Sequence, residues 1–298
     1  MPKEIHLSLN RDIYTGYSSH NLLSEFSAKL NQAQCDHLFI DISKIRFIAS
    51  NQFAILGCLL DHYQRAHDNT RLFLKDVQPS VLEIMRKNNF GSIHFDMDRL
   101  PDTYNTVIPY KVFSVQEINE YRDHINRKIF NRKDLPKMTS MLKSTINDYM
   151  LEVFKNVVDH TSSEFVYTCG QFFPKSSMLY FTVADHGETI PYNVLSYFKK
   201  NQRQAPSNIL DWALQVGTTT SNDQIPRGVG LYLIRKFIQE NQGELFIISG
   251  KENYELNANK ERYLSLCSAF PGTIVTLAFN LNDSVFHSTG SDDTEIIF

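Results

Sequence analysis

Residues 151–161 read LEVFKNVVDHT, a run of helical character in which an acid, an amide and a histidine recur at every fourth position, Glu152, Asn156 and His160. Residues four apart on an α-helix stand one above the other on a single face. The polar row therefore runs beside the apolar positions Leu151, Phe154, Val157 and Val158. Two readings fit this spacing: the solvated face of an ordinary amphipathic helix, or a row of oxygen and nitrogen groups lining a site.

The 298 residues are enough for two domains, each burying its own core. With 42% hydrophobic and 21% charged residues, the composition is that of a soluble globular chain and excludes a fibrous or disordered one. A formal net charge of -3 argues against a broad nucleic-acid surface, which needs a positive field to displace counterions from phosphates. Arg122, Arg127, Lys128, Arg132, Lys133 and Lys137 form a local basic run, which a solvated connecting helix explains. The opening MPKEIHLSLN lacks the apolar core of a signal peptide, and the longest apolar run, FAILGCLL from Phe53, is far short of a membrane span. A cytoplasmic protein without a membrane partner is the expectation. Cys35, Cys58, Cys169 and Cys267 have no CxxC spacing, so buried free thiols are expected rather than a zinc site or disulfides.

Strand-like and helix-like segments alternate from the N-terminus: EIHLSL, SSHNLLSEFSAKL, HLFIDIS, NQFAILGCLLDHYQRA, TRLFLKDV and PSVLEIMRKNNF. Repeated βα units predict a sheet covered by helices over residues 1–100. DMDRLPDTYNTVIPYK, with two prolines, marks a boundary, and residues 101–139 read as a helical connection. A second domain spans 140–281, with EFVYTCGQFF and SMLYFTVAD predicted as a hairpin, and ELFIIS and GTIVTLAF as closing strands. Between these pairs, residues 192–227 lack strong periodicity and read as a mobile loop. Residues 282–298 form a loosely held tail.

Three further segments carry chemistry. In VADHGETIP, Asp185 stands just past an apolar strand, where a carboxylate can accept a hydrogen bond from an exocyclic amine, and Gly187 lets the backbone approach a flat ring. A plain turn fits the same residues. In RGVGLYLIRKF, Gly228, Val229, Gly230 and Leu231 open a helix, where backbone N–H groups suit a phosphate. This is neither a dinucleotide fingerprint nor a GxxxxGK[ST] loop, since the third glycine position holds Leu233. In PGTIVTLAF, Thr273 opens the last strand, where it can hydrogen-bond a base or a water.

In this order the four segments resemble the N box and three glycine boxes of the GHKL ATPases, over about residues 140–280. The resemblance implies a Bergerat-type α/β sandwich with a mixed sheet, and ATP with Mg²⁺ held between the helical layer and a lid. By position, Asn156 resembles the magnesium ligand, Glu152 the acid that activates water or an acceptor hydroxyl, and Asp185 the adenine-binding aspartate. Gly187 resembles the glycine beneath the base, Gly228 to Leu231 the phosphate-binding segment, and Thr273 the threonine of the last box. Thr189 stands where a second glycine is usual, and His186 reads as exposed.

HLFIDISKIRFIASNQFAILGCLLDHYQ resembles the STAS domain of anti-sigma-factor antagonists, which a GHKL serine kinase phosphorylates at a helix start. Asn51 occupies the phosphoacceptor place, with Ala49 and Gln52 where an acid and a glycine are usual. Asparagine accepts no phosphoryl group, so docking, sensing or oligomerising fits this half better, although Ser50 lies one residue away. The α/β fold expected is thus a STAS-like βα sandwich followed by a GHKL sandwich. The resemblance implies an ATP-dependent protein serine kinase or ATPase in a partner-switching pathway. A non-hydrolysing ATP-gated interaction module is the alternative, and His124 would be the acceptor of a histidine kinase. A regulator, a STAS-type protein or a second copy of the chain is the expected protein partner.

Overall fold

The computed structural model describes residues 2–131, 140–218 and 230–282. The N-terminal half contains β1 (Glu4–Ser8), α1 (Tyr17–Leu30), β2 (His37–Asp41), α2 (Phe53–Ala66), β3 (Arg71–Lys75), α3 (Pro79–Lys87) and α4 (Phe90–His94). The three strands form a parallel sheet in the order β1-β2-β3, as the βα alternation predicts. Ile5 and Leu7, Leu38 and Ile40, and Leu72 and Leu74 turn to one face, because side chains alternate along a strand. That face packs on α1 and α2.

The C-terminal half begins earlier than the sequence suggests. Residues 101–139, expected as a helical connection, include strand β4 (Val107–Ser114), followed by α5 (Ile118–Ile125) and a π-helical turn at Asn126–Phe130. Strand β4 pairs with β5 (Phe165–Phe173) across α6 (Ser140–His160), and β6 (Met178–Asp185) follows in a hairpin. Beyond β6 come α7 (Ile190–Lys200), α8 (Ile209–Ala213), α9 (Gly230–Glu240), β7 (Glu244–Asn257) and β8 (Lys260–Asn280).

The sheet order is β4-β5-β6-β8-β7, and every pairing is antiparallel, which corrects the expected mixed sheet. The reason lies in the connections. Both β5–β6 and β7–β8 are hairpins, the latter closed by Ala258 and Asn259, both at positive φ (48° and 59°), the conformation of a type I′ turn. Strands β6 and β7, joined through helices, run in the same direction with β8 inserted between them. The hairpin arm from Gly250 to Phe270, which the sequence reading left unassigned, packs on α1.

These pieces stack as sheet, helices, sheet, helices. Helix α2 is buried at every position from Phe53 to Leu60, because it meets β5 and β6 of the antiparallel sheet and shares one core with the parallel sheet and α1. That accounts for the unbroken run FAILGCLL. The core on one face of the antiparallel sheet merges Tyr167, Cys169, Ile248, Phe270 and Ile274 with α1, α2 and the parallel sheet. On its other face Phe181, Val183, Leu245, Ile247 and Leu277 pack beneath α6 and α9. No disulfide links the four cysteines, and only Cys58 and Cys169 are buried. No described helix is long and apolar enough to cross a membrane.

Candidate functional site

The row of α6 faces a cavity of about 420 Å³, and Glu152, Asn156 and His160 all stand in its wall. Phe154 points the other way, into the core against Tyr121, with ring centroids 4.6 Å apart. The solvated-face reading of the row therefore gives way to a lining one. Val183 of β6 and Val275 of β8 also line the cavity, with α7, α8 and the first turn of α9 around it.

Asp185, the last residue of β6, lines the same cavity and is only 1% exposed. Burial pushes its carboxyl up to about 8; the Thr273 backbone N–H, donating to it, pulls the other way, and the charge of Glu188 adds to the rise. Its Oδ1 has no hydrogen-bond partner. A buried carboxyl oxygen without a donor is costly, and a ligand amine would relieve that cost.

Gly230 and Leu231 begin α9 at the cavity wall, next to Glu152. A Cβ on Gly230 would overlap the Glu152 side chain in its present rotamer, so the acid and the helix start lie in close contact. Gly228 and Val229 lie outside the described residues. Thr273 lines the cavity, but its hydroxyl is engaged by Ser249 Oγ at 2.8 Å.

Gly187 is not among the cavity's lining residues. A Cβ there would come within 2.9 Å of Thr161 Cβ and 3.1 Å of the Ser163 backbone nitrogen, so this glycine serves the close approach of the β6 exit to the α6 exit. Gly187→Ala is expected to cost about 1–3 kcal/mol by overpacking. Urea unfolding of the two proteins would show it as a lower midpoint, and an unchanged midpoint would contradict the packing account.

Residues 192–227, expected as one irregular loop, contain most of α7 and all of α8 within their described part. Thr189, standing where the resemblance leads one to expect glycine, caps α7: its Oγ1 accepts from the Tyr192 N–H at 3.2 Å. Several lining residues escaped sequence reasoning. Asn193 donates from Nδ2 to the His160 carbonyl at 2.7 Å, tying α7 to the end of the polar row. Glu188 accepts from the Ser162 N–H at 2.5 Å, which holds its carboxyl below the ordinary range. Trp212 and Lys155 complete the wall. Lys155 lies three positions after Glu152 and is a signal that the row itself offered; Asn193 and Trp212 come from segments without periodicity.

Two histidines differ from their reading. His124 is buried, with burial and neighbouring cations pushing its pKa down to about 3, so it does not present itself as a phosphoacceptor. His186 is not exposed but stacked on His62. Ser50 and Asn51 are fully buried where the two halves meet. Asn51 Nδ2 donates to Thr182 Oγ1 of β6 at 3.0 Å, and the Ser50 N–H donates to Gln171 Oε1 of β5 at 2.8 Å.

No protein-family model matches the chain, and no curated protein matches it.

Proposed function

We propose that the chain is an ATP-binding regulatory protein of the GHKL class, acting as an ATP-dependent protein serine kinase or ATPase in a partner-switching pathway. One observation carries this reading: the Glu152–Asn156–His160 row and the buried, unsatisfied Asp185 share one cavity. Its size is within the range of small-molecule sites.

The residues present fit the nucleotide and its metal. Asp185 Oδ1 is a free acceptor for the exocyclic amine of adenine. The start of α9 supplies backbone N–H groups and a partial positive charge for phosphate, and Lys155 adds a full one. Asn156 is half-buried in the wall, and its side-chain nitrogen lacks a partner, so the amide is not committed elsewhere. Among the described residues no cluster of three or more His, Cys, Asp or Glu could hold a metal. Magnesium bound here would thus rely on the Asn156 oxygen, water and phosphate, a set suited to a hard cation that keeps much of its hydration shell. When bound, that ion supplies charge neutralisation at the phosphates. Glu152, which lies beside Gly230 at the start of α9, would take a proton from water or an acceptor hydroxyl.

A second reading, an ATP-gated interaction module without turnover, draws on the burial of Ser50 and Asn51. The STAS-like half offers no accessible acceptor at that position. Calorimetry with ATP, with and without Mg²⁺, together with a phosphate-release assay, separates the possibilities. Magnesium-dependent binding with phosphate release or labelling of a protein supports the enzyme, and binding alone the module. Absence of any binding defeats both. Glu152→Ala is expected to keep ATP affinity within about threefold while turnover falls by about 100-fold or more, the usual scale for losing a general base. Equal turnover in the variant would remove Glu152 from the role.

A further inference from the structure

Helix α2 belongs to the N-terminal half, yet Cys58, Asp61, His62 and Arg65, spaced i, i+3, i+4 and i+7, share a face turned to β5 and β6 of the other sheet. Asp61 Oδ2 accepts from the Tyr167 hydroxyl at 2.5 Å and from Arg65 Nε at 2.7 Å. The Arg65 guanidinium lies 4.0 Å above the centre of the Phe165 ring. On the same face the His62 imidazole lies flat on that of His186, with centroids 3.2 Å apart and planes 13° from parallel.

His186 directly follows Asp185, at the point where the sheet stops holding the chain. Strand β6 pairs with β8 only as far as Ala184 and with β5 as far as Asp185. Past that point side-chain packing, not ladder hydrogen bonds, sets the backbone. Gly272 also packs closely on the turn, where any Cβ would overlap the Asp185 carbonyl oxygen. The turn bearing the cavity's buried carboxyl is therefore braced by Gly272 and by a ring from the N-terminal half. Burial holds both imidazoles below the ordinary histidine range, so neutral rings meet at neutral pH.

We infer that His62 is a positioning residue for Asp185: by stacking on His186 it aims the carboxyl, and through it the N-terminal half sets the affinity and base selectivity of the nucleotide site. This rests on the ATP reading above. It also gives the N-terminal half a part in the site that needs no phosphorylation.

The test is titration of the full chain with Mg-ATP and with Mg-ITP, which carries an oxo group in place of the exocyclic amine. Wild type is expected to prefer ATP. In His62→Ala the ATP affinity should fall about fivefold while ITP affinity hardly moves, so the ATP/ITP ratio contracts; this is the scale of one lost aromatic pair. His62→Phe, which keeps a flat ring, should restore the ratio. His62→Gln, which keeps polarity without a ring, should behave as alanine does and serves in its place if alanine unfolds the protein. An unchanged ratio in the ringless variant, or an equal fall for both nucleotides, overturns the role of His62, as does a phenylalanine variant no better than alanine. If wild type itself takes no ATP, the nucleotide reading fails and this inference with it; if wild type binds and only the ratio refuses to move, the nucleotide reading stands alone.

Discussion

Asn156→Ala is expected to abolish magnesium-dependent nucleotide binding, so that ATP affinity measured with Mg²⁺ falls to the value measured with EDTA. Asn156 lies midway along the polar row, one turn from Glu152 and one from His160, all in the cavity wall. Alanine removes its oxygen without disturbing the helix, since alanine is the best helix former. Magnesium is reluctant to lose water and is selective for geometry, so loss of its protein oxygen leaves water and phosphate alone to hold it. At least a tenfold loss, about 1.4 kcal/mol, is the expected scale. Thermal unfolding should be nearly unchanged, because the Asn156 side-chain nitrogen has no partner to lose. An affinity equal to wild type with Mg²⁺ present would sink the assignment of the row.

Asp185→Asn should have the second large effect, and an opposite sign on stability. Burial raises the Asp185 carboxyl from 3.8 to about 8. Between those values the folded chain keeps a proton that the unfolded chain has released, so folding loses stability as pH rises through that window. The contribution is fully present below about 4 and gone above about 8. Asparagine has no such dependence. Without nucleotide, Asp185→Asn is therefore expected to gain stability relative to wild type as pH rises from 5 to 8, read as diverging unfolding midpoints. With nucleotide the order reverses. A charged acceptor binds an amine roughly twice as strongly as a neutral one, a gain of about 1–1.5 kcal/mol, or about 5- to 12-fold in affinity. ATP affinity of wild type should rise with pH towards 8, by up to about tenfold per pH unit, and that slope should vanish in the variant. A pH-independent affinity in wild type would contradict Asp185 as the base-binding group.

The sequence was readable where local rules dominate. The βα alternation foretold a sheet covered by helices, and the four-residue spacing of Glu152, Asn156 and His160 a single helical face. Asp185 stood out because an acid ending an apolar strand needs a partner or a purpose. Less readable was β4, whose two-proline approach resembled a linker; its strand character depends on pairing with β5, more than fifty residues later. Strand direction was only partly in reach: the β5–β6 hairpin was legible, whereas the β7–β8 hairpin turns on Ala258 and Asn259 without a glycine.

Periodicity and residue chemistry thus assigned the βα units of the first half, the β5–β6 hairpin, α6, α9 and the polar row, because each depends on neighbours within a few residues. Only the tertiary structure decided that the row of LEVFKNVVDHT faces a cavity rather than solvent, that a buried carboxyl lines that cavity, and that His62 from the other half stacks on the residue next to it. The helix has two polar-capable sides in sequence terms, and what distinguishes them is the sheet and the helix α9 packed against one of them. The groups brought together include pairs 29 positions apart (Asn156 and Asp185) and 124 apart (His62 and His186), and the energy comes from burial and close approach, which no local pattern encodes.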